Sequence, residues 1–443
     1  MQDAPRLTAT AAARQISEGR LRPEELMEAC LARIAEREGK VRAFAWFDAD
    51  AARRGATAAR PGGPLFGLPV GVKDVLDTAD MPAEYGSPIW RGWRPRADSA
   101  AVAWARAAGA VVIGKTVTTE FANRRPGQTA NPHRLTHTPG GSSSGSAAGV
   151  ADFFFPFAFG TQTAGSVIRP AAFCGVVGYK PSFGLIHRAG MKVMAESLDT
   201  IGVIARSVAD CALLAGAVTG AALGDPGKRL DRAPKIGLCR SPSWESAAPE
   251  TAALWPRVAD ALRRAGASLA DREMPEPIRR VATAHPLVMN AESAQALGWE
   301  LAHHRGEISD LLLERLDAGL RQSAAALAEA RMVLAAARRA FPQTLEGLDV
   351  LLTPAAPGEA PKGLGSTGDA AFNLIWTSLH VPCVTVPAGT GATSMPLGVQ
   401  IVGRRGDDRK VLAAAEWVAA AVGGVGSGPA LPLSASAEPA PAT

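Results

Sequence analysis

The sequence is poor in cysteine, and its few cysteines lie far apart. Five cysteines are spread over 443 residues without CxxC or CxH spacing: Cys30, Cys174, Cys211, Cys239 and Cys383. An odd, dispersed set argues against a disulfide framework and the common zinc motifs, and it favours a reducing compartment. We therefore expect no metal site in this protein.

Long apolar runs are also missing. The longest aromatic run, Phe153 to Phe159, covers seven residues and contains Pro156, far short of the roughly 20 apolar residues that span a bilayer. We predict that this run forms a buried strand. The first residues lack a charged head followed by an apolar segment, so we expect no signal peptide, a cytoplasmic location and no membrane contact.

Aromatic residues are scarce as well, at 5% of the chain, and the formal net charge is only +5. The arginine pairs, such as Arg124–Arg125 and Arg338–Arg339, are isolated and do not alternate with aromatic side chains. Nucleic-acid binding needs a continuous basic stripe or patch. The sequence therefore argues against a nucleic-acid partner.

Strand and helix patterns alternate along most of the chain. Short apolar runs such as Pro69–Val72 and Ala110–Ile113 predict strands, and Pro23 opens an amphipathic helix. The alternation predicts an α/β fold with helices packed around a buried sheet. We expect one domain over residues 1–423, with N-terminal helices (1–60), a glycine-rich core (61–222), a mostly helical cap or insertion (223–346), a C-terminal core (347–423) and a flexible tail (424–443).

One motif resembles a phosphate-binding loop. Residues 109–116, GAVVIGKT, fit the pattern GxxxxGK[ST]. A phosphate-binding loop needs flexible backbone whose amides wrap the phosphate, but Val111, Val112 and Ile113 are β-branched and favour a strand. We therefore expect Lys115 to be a structural or pocket-lining lysine.

A second motif, Gly141 to Gly145, fits the nucleophile elbow GxSxG centred on Ser143. An elbow requires a strand directly before the serine, together with a histidine base and an acid. The preceding residues form a loop with two prolines, and no histidine stands in a partner motif. The sequence argues against a Ser-His-Asp enzyme.

The richest segment runs from Gly140 to Pro181 and reads GGSSSGSAAGVADFFFPFAFGTQTAGSVIRPAAFCGVVGYKP. A flexible Gly/Ser linker is one interpretation, but the interleaved phenylalanines and valines demand burial. The segment resembles the signature of the amidase signature family, the Ser–cisSer–Lys amidases. The resemblance extends to GLPVGVKD at residues 67–74, to Leu352-Thr-Pro354, and to PLGVQIVG at residues 396–403.

The resemblance implies a role for each matching residue. Lys73 matches the catalytic lysine, Ser142 the serine that follows a cis peptide bond, and Ser166 the nucleophile. The implied oxyanion hole consists of the backbone amides of Thr163, Ala164, Gly165 and Ser166. Substrate contacts are expected from Gly141, Thr161, Gln162 and Arg169. The implied fold is a mixed twisted sheet with helices on both faces.

These residue types suit amide hydrolysis. A serine hydroxyl attacks poorly until a base removes its proton. Without a histidine the base is a neutral lysine, whose pKa of about 10.4 falls when the amine is buried. Lys73 follows the apolar run 68–72, LPVGV, as a buried lysine would. Ser142 can pass the proton between Lys73 and Ser166.

Three departures from the family pattern concern the nucleophile segment, where the family has TDTGGS followed closely by arginine. Gln162 replaces an acid, Ala164 replaces a glycine, and Arg169 is the third residue after Ser166. These variants resemble the bacterial small-amide, malonamidase-like subgroup. We expect Arg169 to bind a substrate carboxylate, with a buried structural ion pair as the alternative. Pro170 predicts extended backbone at Arg169.

The expected reaction is hydrolysis of a small carboxamide to acid and ammonia through a seryl acyl-enzyme, without metal or organic cofactor. A homodimer is left open. The alternative within the family is the glutaminase subunit of a tRNA-dependent amidotransferase. Alternatives of other classes are a nucleotide-binding protein and a non-catalytic relative. Asn373 and Trp376 either line the pocket or belong to the core.

Overall fold

A central sheet of eleven strands organises the fold. The computed structural model describes residues 4–228, 230 and 232–423. Its strands are β1 Phe44–Phe47, β2 Pro69–Lys73, β3 Val111–Thr116, β4 Phe157–Gln162, β5 Val177–Lys180, β6 Thr200–Ala205, β7 Lys235–Leu238, β8 Ser268–Asp271, β9 Val350–Pro354, β10 Cys383–Thr390 and β11 Pro396–Val402. The predicted tail, residues 424–443, lies outside the described residues.

The helices of the described residues lie mostly between these strands. They are α1 Ala9–Ser17, α2 Pro23–Val41, α3 Ala49–Ala58, α4 Ala100–Ala107, α5 Ser144–Ala151, α6 Ile168–Phe173, α7 Val208–Thr219, α8 Pro249–Arg264, α9 Glu276–Arg279, α10 Val281–Ala296, α11 Gly298–His303, α12 Asp310–Leu320, α13 Ala324–Thr344, α14 Leu374–Ser378 and α15 Asp408–Val422. The predicted helix that begins at Pro23 is confirmed.

The sheet is mixed, in the order β1-β3-β2-β4-β6-β5-β10-β11-β9-β7-β8. Strand β2 is parallel to both β3 and β4, and β7 is parallel to both β8 and β9, whereas the other pairs are antiparallel. Every residue of β2 to β6 is buried, so both faces of this part of the sheet are covered. The predicted α/β fold with a mixed sheet is confirmed.

Parallel pairing brings two predicted site segments to one edge of the sheet. Val72 lies opposite Phe159 in the register of β2 and β4. Because parallel strands end on the same side, Lys73 at the end of β2 emerges beside Thr161 and Gln162 at the end of β4. The sheet thus places the lysine next to the nucleophile segment.

The aromatic run is only partly a strand, so that prediction was wrong in its first half. Helix α5 ends in a turn in which Phe154 donates its amide to the Gly149 carbonyl, and Pro156 has no amide to donate to a ladder. Strand β4 begins at Phe157. The Phe155 ring is nonetheless buried and packs against Gly71 and Gly149, where a Cβ would lie 2.8 Å and 2.3 Å from it.

The segment 223–346 is mostly helical, but it also contributes strands β7 and β8, which the sequence interpretation missed. These strands are short, and β8 is half-exposed, so their apolar pattern is weak. Within the described residues no helix is long and apolar enough to cross a membrane. The division into one domain with four parts stays a prediction.

Lys115 belongs to strand β3, and no phosphate-type loop forms around it. Residues 111–116 are a buried strand that follows helix α4, as the β-branched run predicts. The Lys115 ammonium lies 2.9 Å from the Asp74 carboxylate, and these side chains are 0% and 2% exposed. Lys115 also donates to the Pro82 carbonyl at 3.2 Å. It is a structural lysine.

We predict that Lys115→Met lowers the free energy of unfolding by about 3–5 kcal/mol, because it leaves Asp74 buried without a cation. Urea denaturation measures the change. The matched control is Arg263→Met, which breaks a pair whose side chains are 58% and 59% exposed and should cost less than about 1 kcal/mol. Equal losses in the two variants would contradict the structural role of Lys115.

Candidate active site

Lys73 is fully buried at the end of β2 and is surrounded by hydroxyl groups. Its Nζ lies 2.6 Å from Ser142 Oγ and 2.7 Å from Thr161 Oγ1. Burial lowers the pKa of Lys73 well below its usual 10.5, and the charge of Asp199 opposes this shift. A neutral amine in this position accepts the proton of the Ser142 hydroxyl.

Ser142 follows a cis peptide bond from Gly141, as the resemblance predicts. The Gly141 carbonyl accepts a hydrogen bond from Arg169 Nη2 at 2.7 Å. A Cβ at Gly141 would lie 2.6 Å from Thr367 Cγ2, so the position has no room for a side chain. On the other side, the Ser142 carbonyl accepts the Thr119 amide at 3.3 Å.

Ser166 lies between β4 and α6 and is 8% exposed. Its carbonyl accepts the Ser143 amide at 3.3 Å, which joins the nucleophile segment to the cis-serine segment. Among the described groups, none accepts a hydrogen bond from the backbone amides of residues 163–166. The fold thus brings Lys73, Ser142 and the Ser166 segment together although they are distant in sequence.

Ser143 itself occupies no nucleophile elbow. It is the residue before helix α5, and the preceding residues form loop rather than strand. Its Oγ contacts the Thr161 backbone, with 3.3 Å to the carbonyl and 3.2 Å to the amide. This serine is part of the support behind the Lys73 site.

Gln162 has a supporting position. Its Oε1 accepts the amides of Val167 and Ile168 at 2.9 Å and 3.0 Å, at the start of α6. Its Nε2 donates to Thr377 Oγ1 at 2.9 Å. Thr161, in turn, contacts Lys73. The substrate contacts assigned to Gln162 and Thr161 stay predictions, since their observed partners belong to the protein.

Arg169 is buried in the first turn of α6, so the predicted extended backbone was wrong. Pro170 is tolerated there because the first turn of a helix has no partner for its amides. Arg169 also donates to Thr367 Oγ1 at 3.2 Å, while its Nε has no partner. Burial lowers its pKa to about 10. No described carboxylate forms an ion pair with it, which removes the structural alternative.

Asn373 and Trp376 differ in position. Asn373 packs on the nucleophile segment, because a Cβ at Gly165 would lie 2.5 Å from Asn373 Oδ1. That oxygen is buried without a partner, while Nδ2 donates to the Ala355 carbonyl at 2.9 Å. Trp376 is fully buried and packs edge-on against Phe341. Asn373 thus borders the site, and Trp376 is core.

The sequence interpretation missed Asp199, which lies behind the nucleophile segment. One Asp199 oxygen accepts the Thr163 hydroxyl at 2.6 Å, and the other accepts two backbone amides. Burial raises the pKa of Asp199 to about 6. No spacing in the sequence links this carboxylate to Lys73.

Arg315 on α12 was also missed. It donates to Asn123 Oδ1 at 2.7 Å, and the Asn123 Nδ2 is buried without a partner. Asn123 belongs to the turn that starts at Thr119, whose amide holds Ser142. Burial, with the nearby Arg124 as second cause, lowers the pKa of Arg315 to about 10. No described carboxylate forms an ion pair with Arg315.

Comparison with known proteins agrees with this geometry. The family model described as Amidase matches residues 25–412. The glutamyl-tRNA(Gln) amidotransferase of Roseiflexus castenholzii contains a subunit that is 33% identical, over 92% of this chain and 94% of that protein. A crystal structure of an amidase shares 30% identity over 94% and 100% of the two chains, with a TM-score of 0.86. The peptide amidase of Stenotrophomonas maltophilia shares 30% identity over 94% and 96%, with a TM-score of 0.77.

Fold and family together define an enzyme that hydrolyses C–N bonds of amides. The chain belongs to the amidase family, since the family model covers most of its length. Among the described residues no three His, Cys, Asp or Glu side chains form a group that could hold a metal. Catalysis without a cofactor stays a prediction.

We predict that Ser166→Ala lowers turnover by about 10⁴-fold or more while the fold is retained, because the attacking oxygen is lost. A serine-directed phosphonate should label the peptide that contains Ser166, as read by mass spectrometry. Ser143→Ala is the control and should still be labelled. Label on Ser143 in the wild type would contradict the assignment.

We also predict that Lys73→Met and Ser142→Ala each cost orders of magnitude in turnover, whereas the double variant is little worse than either, because the two groups act as a unit. Activity should fall as the pH is lowered and Lys73 takes up a proton. Additive losses in this cycle would argue against a shared relay.

Asp199→Asn sharpens the pH experiment. Removal of a negative charge disfavours the protonated lysine, so the pKa of Lys73 falls further and the acid limb of kcat/KM moves to lower pH. A general loss of packing would lower the rate without moving the limb. An acid limb that stays in place would assign it to a group other than Lys73.

Proposed function

We propose that this protein hydrolyses a small carboxamide that carries a carboxylate, releasing ammonia through a seryl acyl-enzyme. The observation that carries the proposal is the buried contact of 2.6 Å between Lys73 Nζ and Ser142 Oγ, next to the Ser166 segment and its free amides. This combination offers a base, a proton relay, a nucleophile and an oxyanion site.

In the proposed reaction the Ser166 oxygen attacks the amide carbonyl carbon. Its proton passes to Ser142, whose own proton passes to Lys73. The carbonyl oxygen becomes an oxyanion that accepts hydrogen bonds from the backbone amides at residues 163–166. The relay then protonates the amide nitrogen, the C–N bond breaks and ammonia leaves. Water, deprotonated by the same relay, attacks the acyl-enzyme and releases the acid with free Ser166.

The acidic character of the substrate is inferred from Arg169 and Arg315. Each is buried, remains charged at neutral pH with a pKa of about 10, and lacks a carboxylate partner among the described residues. A buried cation without a counter-ion is costly, and a substrate carboxylate would supply the missing charge. Arg169 touches the carbonyl before Ser142, which places it within reach of a small molecule bound there.

A second candidate is the glutaminase subunit of a tRNA-dependent amidotransferase. The observation that favours it is the 33% identity to a protein of this kind over nearly the whole chain. Glutamine is also a carboxamide with a carboxylate, so the chemistry at Ser166 is the same. The two candidates differ in partners. Ammonia release by the isolated chain at full rate supports the amidase, and release that depends on added partner subunits supports the second candidate.

We predict that the wild type releases ammonia from monoamides of short dicarboxylic acids faster than from matching neutral amides. Arg169→Ala should raise KM for the acidic amide by about 10- to 100-fold, since a charge-assisted hydrogen bond contributes about 1.5–3 kcal/mol. Turnover of the neutral amide should change little. Arg169→Lys keeps the charge and should recover part of the preference.

The surface variant Arg263→Ala is the control for a general effect of arginine removal, because that side chain is 58% exposed. The panel includes glutamine as the substrate of the second candidate. A wild type that prefers neutral amides would overturn the carboxylate role. A wild type that releases no ammonia from any amide, alone or with partner subunits, would overturn the proposed function.

A further inference from the structure

The backbone of residues 163–166 shows a one-sided pattern of hydrogen bonds. All of its carbonyl oxygens accept from protein donors, and none of its amides donates to a described group. The carbonyl contacts are Thr163 with His285 Nε2 at 2.9 Å, Ala164 with Thr377 Oγ1 at 2.7 Å, Gly165 with the Arg169 amide at 2.9 Å, and Ser166 with the Ser143 amide at 3.3 Å.

Peptide geometry turns this pattern into a direction. The peptide unit is planar, and in the trans form its C=O and N–H point to opposite sides. When the Thr163 carbonyl is held, the Ala164 amide points away from the holder, and the same applies to the next unit and Gly165. Buried amides without an acceptor are rare in proteins. Such amides fit an oxygen that becomes negatively charged during the reaction.

We propose that His285 and Thr377 are positioning residues for amide cleavage, which hold the carbonyls of Thr163 and Ala164 so that the amides of Ala164 and Gly165 face the developing oxyanion. This inference rests on the proposed function. It adds two side chains from α10 and α14, elements outside the signature segment, to the apparatus around Ser166.

The direction of each contact is fixed by its chemistry. A carbonyl only accepts, so the His285 Nε2 carries the proton, and the ring needs no positive charge to donate it. Burial lowers the pKa of His285 to about 4, so the ring stays neutral over the working pH range. The contact is therefore independent of pH wherever Lys73 is able to act as a base.

Thr377 has its hydroxyl committed on both sides. It donates to the Ala164 carbonyl and accepts from Gln162 Nε2 at 2.9 Å. Gln162 at the same time accepts the amides of Val167 and Ile168. An ionised aspartate, which the family pattern has at this position, has no hydrogen to donate to Thr377. The replacement by Gln162 and the hydroxyl of Thr377 thus form one supporting unit.

The test compares Thr377→Val with Thr377→Ser, and His285→Phe with His285→Gln. Loss of the hydrogen-bond donor should lower kcat by about 10- to 100-fold with KM changed less than about threefold, because the amides are misplaced only where charge develops. Affinity for a boronate that mimics the tetrahedral state should fall by the same factor. The serine and glutamine variants retain a donor and should recover most of the rate.

Thr385→Val is the matched control. Thr385 is also fully buried and donates to a backbone carbonyl, that of Val399 at 2.9 Å, but it lies on β10 away from Ser166. It should lose stability without losing kcat. Rates are expressed per site titrated with the phosphonate, so unfolded protein does not count. If one valine or phenylalanine variant fails to fold, the other pair decides.

The outcomes separate the two proposals. A wild type without amide hydrolysis overturns the proposed function and this inference with it. An active wild type whose Thr377→Val and His285→Phe variants keep kcat and boronate affinity overturns the inference alone. A change confined to KM would also overturn it, since it would assign these residues to ground-state binding.

Discussion

The burial of one amine, Lys73, is the constraint on which the rest of the site depends. A lysine in water is protonated at neutral pH and cannot accept a proton from serine. At the end of β2 the amine is fully buried, and burial lowers its pKa. The nearby hydroxyls of Ser142 and Thr161 satisfy its hydrogen bonds without adding charge. The protein therefore keeps a base in its interior.

Neighbouring charges have to respect this constraint. Asp74 directly follows Lys73 and would favour the protonated lysine if its charge were free. Its carboxylate is instead paired with Lys115 on the adjacent strand β3. Asp199 is more distant and is held by the Thr163 hydroxyl and two amides, and its own pKa is raised to about 6. The remaining negative field limits the fall in the pKa of Lys73 without cancelling it.

The sequence predicted the parts of the site that are written in contiguous motifs. Lys73, Ser142 and Ser166 each stand in a run of small and apolar residues, so the position and chemistry of each are visible locally. His285 and Arg315 reach the site from helices α10 and α12, and no local pattern marks them. The same holds for strand β8, whose exposure weakens its apolar pattern. Contacts between distant segments depend on packing, which spacing does not encode.

This division has a consequence for specificity. The relay and the nucleophile come from the sheet and the signature segment, whereas the cation Arg315 comes from the helical segment 223–346. His285, from the same segment, holds the Thr163 carbonyl beside the nucleophile. A change in these helices would therefore alter which acyl group fits and, through the oxyanion amides, how fast it reacts. Substrate choice and rate are coupled here because one helical layer touches both the pocket and the backbone around Ser166.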